Sequence, residues 1–149
     1  MSSIRARAPR SASPTVRRAM QANVPRDTKP EVRFRSVLHA AGLRFRKDCR
    51  PEALIHCKAD IVFPSRRVCV FIDGCFWHGC PEHFRTPLRN GAWWTEKIED
   101  NKRRDREKTS ALRASGWVVF RFWEHELRRD GLKSASAKVQ RALRSASHC

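Results

Sequence analysis

KADIVFPSRRVCVFIDGCFWHGCPEHF, residues 58–84, holds two short apolar runs followed by an abrupt change of chemistry. ADIVF and VCVFI are rich in β-branched and aromatic residues, and only PSRR separates them. Runs of that length bounded by turn residues read as strands, and the short spacing reads as a hairpin lying in the core of a sheet. Past the second run the chain does not simply turn away. One loop brings Asp73, Cys75, Phe76, Trp77, His78, Cys80 and His83 together.

Working outward, RDTKPEVRFRSVLHAAG (26–42) carries a helix signal, with Thr28 as cap, Glu31 three residues on as in a capping box, and Gly42 as stop. Val32, Val37, Leu38 and Ala41 are expected on its inner face. LRFRK (43–47) alternates like a strand. Downstream, WWTEKIEDNKRRDREKTSALRASG (93–116) reads as a long charged helix ended by Gly116. WVVFRFW (117–123) is another strand, HELRRDG (125–131) a helical turn, and KSASAKVQRALRS (133–145) a last basic helix. The order α, β, β, β, α, β, α predicts a mixed sheet with helices packed on it. No repeat or linker divides the chain. Residues 1–20, with five arginines and no acid, read as a disordered basic arm, and residues 21–149 as one domain.

At 149 residues the chain is long enough to bury a real core. Lys and Arg outnumber Asp and Glu by 32 to 15, a formal net charge of +17. Such an excess repels itself in the compact state and suggests a polyanionic partner, nucleic acid first and an acidic membrane surface second. No apolar run approaches the roughly 18 residues that a spanning helix needs. The Arg/Ser-rich N-terminus has no signal-peptide core and fits either a transit peptide or a phosphate-binding arm. The six cysteines form no compact disulfide framework, so reduced thiols are expected, some of them on metal.

Cys75, Cys80 and His83 stand as C-x4-C-x2-H, the soft donor set that zinc prefers, or else the two cysteines are small buried thiols. His125 can complete a tetrahedral site if WVVFRFW lies beside VCVFI. His78 is either a rival ligand or an unliganded base near neutral pKa. Asp60 opens a buried run, where a carboxylate needs a partner such as Mg2+, and Asp73 ends the neighbouring strand, so the two can converge on one ion; turn or cap roles account for both as well. For Glu31 the capping box is a sufficient reason. Phe76 with Trp77, and Trp93 with Trp94, are hard to bury all together; beside so much positive charge they read as core or as rings that wedge open base steps. Lys97, Asn101 and Arg104 recur on one helical face, either solvated or facing a groove.

The three stretches from RDTKPEVRFRSVLHAAGLRFR through GCFWHGC to WEHEL, spanning about Met20 to Leu127, resemble the very-short-patch mismatch repair endonucleases. The resemblance implies a restriction-endonuclease-like α/β fold with a structural zinc site. It also implies an enzyme that nicks double-stranded DNA 5′ to the thymine of T:G mismatches left by 5-methylcytosine deamination. By position, Asp60 matches the Mg2+-binding aspartate, with the Ile72 main-chain carbonyl beside it. His78 matches the general base and Glu31 a supporting glutamate. Cys75, Cys80, His83 and His125 match the zinc ligands; Phe76, Trp77 and Trp94 the inserted rings; Met20, Lys97 and Asn101 residues near the mismatched pair. Asp73 stands where some members have histidine, which leaves its role open between metal ligand and phosphate contact. Ile72 replaces a threonine, His125 a cysteine, and no E-x-K tail follows Asp60. A monomer in the bacterial cytoplasm, nucleoid-associated on DNA, is the accompanying expectation, with repair proteins and a DNA polymerase acting downstream. The rival expectations are a zinc-stabilised DNA-binding module without activity and a restriction-type nuclease of other specificity.

Overall fold

The computed structural model describes residues 28–75, 79–82, 84–128 and 130–146. The basic arm, Met20, Phe76, Trp77, His78, His83 and the terminal His148-Cys149 lie outside the described residues. Among the described residues, three helices and four strands follow in the order α1 (Lys29–Ala40), β1 (Arg46–Cys49), β2 (Ala59–Phe63), β3 (Val68–Asp73), α2 (Gly91–Ala114), β4 (Val118–Trp123) and α3 (Asp130–Ala146). This is the succession the sequence predicts. The strands form one sheet in the order β1-β2-β3-β4.

The hairpin forms as expected. β2 and β3 pair antiparallel with Phe63 opposite Val68, across a 3-10 turn at Pro64–Arg66 that closes with Arg67 in the left-handed region at φ 53°. β3 then pairs parallel with β4, from Val68 beside Val118 to Asp73 beside Trp123. Parallel neighbours need a long crossover, and α2 with its 24 residues supplies it. Every residue of β3 is buried, as a strand covered on both faces must be.

The two faces are packed differently. On one, Val68, Val70 and Ile72 join Ile61, Phe63 and Phe122 against Phe34 and Leu38 of α1 and Ala135, Val139 and Leu143 of α3. On the other, Cys69, Phe71, Val62 and Val119 meet Leu112 and Trp117 at the end of α2 and after it. β3 residues therefore alternate between an apolar layer and the α2 layer, and Asp73 falls in the second series.

Several boundaries differ from expectation for identifiable reasons. The inner face of α1 is Glu31, Phe34 and Leu38; Val32 is 44% exposed, and Ala41 is exposed too. A search for apolar periodicity passes over a buried glutamate. Thr28 occupies the cap position but makes no side-chain cap hydrogen bond, so the capping box does not form. Leu43 and Phe45 pack against the core before β1 begins, which moves that strand three residues beyond LRFRK's start. The helical turn expected after β4 is the 3-10 turn Glu124–Leu127.

Candidate active site and metal centre

The N-terminal end of β2 and the C-terminal ends of β3 and β4 share one end of the sheet, which places Asp60 and Asp73 near each other. Asp60 Oδ2 accepts a hydrogen bond from the Ile72 N–H at 2.6 Å, so strand pairing itself orients the carboxylate. A cleft of about 260 Å3 opens here, lined by Glu31, Asp60, Ile72, Asp73 and Glu124, with Lys58, Lys108 and Arg121 on its walls. Glu31 is 3% exposed and Asp73 8%. Capping no longer accounts for Glu31; it is a buried carboxylate turned to the same cleft as Asp60.

Burial pushes the Asp60 carboxyl up to about 7. The Ile72 N–H opposes that rise, while the charges of Glu31, Asp48 and Asp73 add to it. Acids gathered this way are unfavourable by themselves and favourable around a divalent cation, which takes oxygen donors of this kind. The donor set therefore fits Mg2+. The carboxylates are spread around the cleft: among the described residues, the only group of three candidate ligand atoms within 4.8 Å of one another is Cys75, Cys80 and His125.

That second cluster has the register of β3 and β4 to thank. Cys75 lies two residues past the end of β3 and His125 two past the end of β4, so parallel pairing brings them level. Cys75 Sγ lies 3.4 Å and Cys80 Sγ 3.7 Å from His125 Nδ1. With metal–sulfur bonds of about 2.3 Å and metal–nitrogen bonds of about 2.0 Å, adjacent corners of a tetrahedron are roughly 3.5 Å apart. Both sulfur–nitrogen distances fit that figure. Burial pushes the Cys75 thiol up, and the nearby Cys80 adds to the rise against a lowering contribution from His125. A metal binds the thiolate form, so an ion taken up there would displace the Cys75 proton. On the far side of the ring, His125 Nε2 is 3.3 Å from Glu82 Oε2, so a proton donated to Glu82 leaves the Nδ1 lone pair facing the sulfurs.

The loop carrying Cys80 is pressed onto α2. The Cys80 N–H donates to the Cys75 carbonyl at 2.8 Å and the Phe84 N–H to the Cys80 carbonyl at 2.9 Å. Gly79, at φ 65°, has no room for a side chain: a Cβ there would collide with Lys102 and come within 2.6 Å of Ile98. At the start of α2, Trp94 is 8% exposed and packs edge-on to the half-buried Trp93, with ring centroids 4.8 Å apart. Trp94 is thus held inside in this structure rather than presented at the surface. Lys97 and Asn101 are both partly exposed on α2.

The structure brings together Glu31, Asp60, Ile72 and Asp73, and separately Cys75, Cys80 and His125. Two participants escaped the sequence reading. Arg121 pairs with both Asp73 and Asp105, and Glu82 backs His125. The signal for Arg121 was an arginine inside the apolar strand WVVFRFW; Glu82 carried none.

The family model described as DNA mismatch endonuclease Vsr matches residues 12–83. The type II nicking enzyme V.NaeI of Lentzea aerocolonigenes is 48% identical over 117 residues, covering 77% of this chain and 70% of that one. The type II nicking enzyme V.NmeDIP of Neisseria meningitidis serogroup C is 38% identical over 130 residues, covering 86% and 85%. The DNA mismatch endonuclease Vsr of Escherichia coli strain K12 is 38% identical over 110 residues, covering 73% and 69%. Similarity of that depth along most of the chain, on a mixed sheet whose one end gathers the acids and thiols, makes this protein a member of the Vsr family of DNA endonucleases.

Proposed function

We propose that this endonuclease nicks double-stranded DNA on the 5′ side of the thymine in T:G mismatches, the lesion left when 5-methylcytosine deaminates. The observation that carries the reading is the Asp60 carboxylate, fixed by the Ile72 N–H at 2.6 Å in a cleft it shares with Glu31 and Asp73. When bound, Mg2+ would polarise the scissile phosphate and steady the leaving 3′-oxygen. Asp60 and the Ile72 carbonyl would hold it, with Glu31 supporting from α1. His78 would take the proton of the attacking water, leaving a 5′-phosphate and a 3′-hydroxyl.

Cys75, Cys80, His83 and His125 would hold a structural Zn2+ that pins the loop bearing His78 to the sheet. Phe76, Trp77 and Trp94 would insert beside the mismatch, with Trp94 first leaving its packed position. Lys97, Asn101 and Met20 would meet the mismatched pair. A wobble pair is cheaper to unstack than a Watson–Crick pair by up to a few kcal/mol, which adds to direct reading of its groove edges. Repair proteins and a DNA polymerase would act after the nick. Among the described residues, no helix is long and apolar enough to cross a membrane.

The test compares T:G, T:A and C:G versions of one duplex with purified protein and Mg2+. Strand breaks confined to the T:G duplex, and abolished by Asp60→Asn and by His78→Ala, are expected. Binding without breaks would leave only a DNA-binding module, and equal cutting of all three would mean a nuclease of other specificity.

A further inference from the structure

Arg121 sits in the middle of β4, opposite Phe71 in the parallel register. Its Nε lies 3.6 Å from Asp73 Oδ2, and its Nη2 lies 3.2 Å from Asp105 Oδ1. The guanidinium carbon stands 4.3 Å over the Phe71 ring, which supports the plane from below. The side chain is 21% exposed, and its Nη1 is buried with no hydrogen-bond partner among the described residues. Arg121, Asp73 and Asp105 line two neighbouring clefts, that of the carboxylates and a second of about 540 Å3 beneath α2, so together they form the wall between them.

Asp105 lies one helical turn from Asn101 and two from Lys97 on the rigid α2, whereas Asp73 ends the strand whose Ile72 N–H holds Asp60. We propose that Arg121 is a positioning residue that ties α2 to the catalytic end of β3 by binding Asp105 and Asp73 at once, so that seating α2 on DNA sets the carboxylates for nicking. The planar guanidinium suits the task because its donors are fixed in one fork; a lysine ammonium keeps the charge but not the two-ended geometry. The helix motif W-x2-K-I-x2-N-x3-D thereby gains a purpose for its final aspartate, which mismatch reading left unused. The inference rests on the proposed T:G nicking, yet it is separable from it.

The experiment uses the full chain with Asp105→Asn, Arg121→Lys and the double variant. T:G nicking in Asp105→Asn and in Arg121→Lys is expected to lose about tenfold or more in kcat with little change in KM, and the two losses should not multiply in the double variant. Without DNA, amide hydrogen exchange at residues 72–74 should rise about fivefold in Asp105→Asn while residues 68–70 stay protected. Unchanged exchange at the end of β3, an unchanged kcat, or losses that multiply would each overturn the tie. Should Arg121→Lys fail to fold, Asp105→Asn decides alone. A parent enzyme that cuts T:G and T:A alike overturns the earlier reading, and the exchange measurement still decides this one.

Discussion

The carboxylate cleft and the thiol–imidazole cluster lie at the same end of one sheet and are built on opposite plans. In the cleft, oxygen donors from α1, β2 and β3 stand apart, and among the described residues the Ile72 N–H holds Asp60. In the cluster, three donors converge within 4.8 Å of one another. Spread oxygen donors leave room for a phosphate and water beside a cation; converged sulfur and nitrogen donors leave none. One arrangement suits exchange with substrate, the other permanent closure of a loop.

The largest effect that separates the two is catalytic. Asp60→Asn should reduce nicking by about a thousandfold or more while the melting temperature is kept or raised, because the cation site is lost and the fold is not. Quantitative gel assays beside thermal denaturation would show it; a variant that melts early and nicks normally would reverse the assignment of roles. Next in size, Cys80→Ser, or a chelator strong enough to strip zinc, should lower the melting temperature by about 5 °C or more, whereas mild removal of Mg2+ should stop nicking with no thermal effect. Identical thermal responses to both treatments would erase the contrast.

Acidity sharpens the comparison further. The Asp60 carboxyl has an ordinary value of 3.8 and stands at about 7 in the fold. Below about pH 4 it is neutral in both folded and unfolded chains and contributes no difference. Between pH 4 and 7 the unfolded chain ionises first, so folding stability falls as pH rises, levelling off above 7. The raised carboxyl corresponds to at most on the order of 4 kcal/mol, less after solvent screening. Asp60→Asn should therefore match the parent near pH 4 and exceed it at pH 8 in metal-free buffer, by denaturant titration. A constant gap across that range would remove Asp60 from the burial argument. The smallest effect belongs to the second cluster: Glu82→Gln should weaken zinc affinity by roughly tenfold, read by competition with a chromophoric chelator, since the exposed carboxylate only orients the ring.

Much of this arrangement was legible in the chain because its signals are local. β3 is buried on both faces, so VCVFI had to be apolar throughout, and PSRR between two such runs left the hairpin as the natural reading. C-x4-C is likewise a short-range pattern. His125 became a partner only through the parallel register of β3 with β4, which the sequence suggested as a condition and the structure fulfils. The inward position of Glu31 escaped the helix pattern for a physical reason: helical periodicity counts apolar residues, and here a buried carboxylate stands ahead of Phe34 and Leu38. Val32 was credited with a burial it does not have. Arg121 shows the limit most clearly. Its two carboxylates lie 16 and 48 residues away, and no spacing rule joins them.

The two pairings of β3 also differ in how far the chain must travel to make them. β2 meets β3 across a four-residue turn, a closure of the kind completed in microseconds. β4 reaches β3 only after some 45 residues and the whole of α2 have been laid down, which carries a larger loop-closure entropy and a slower search. A chain leaving the ribosome therefore exposes both thiols well before it can offer them an imidazole. If the proposed zinc site is filled, capture of the soft metal ion would be a late step of assembly, a latch that shuts once the slow parallel pairing has found its register.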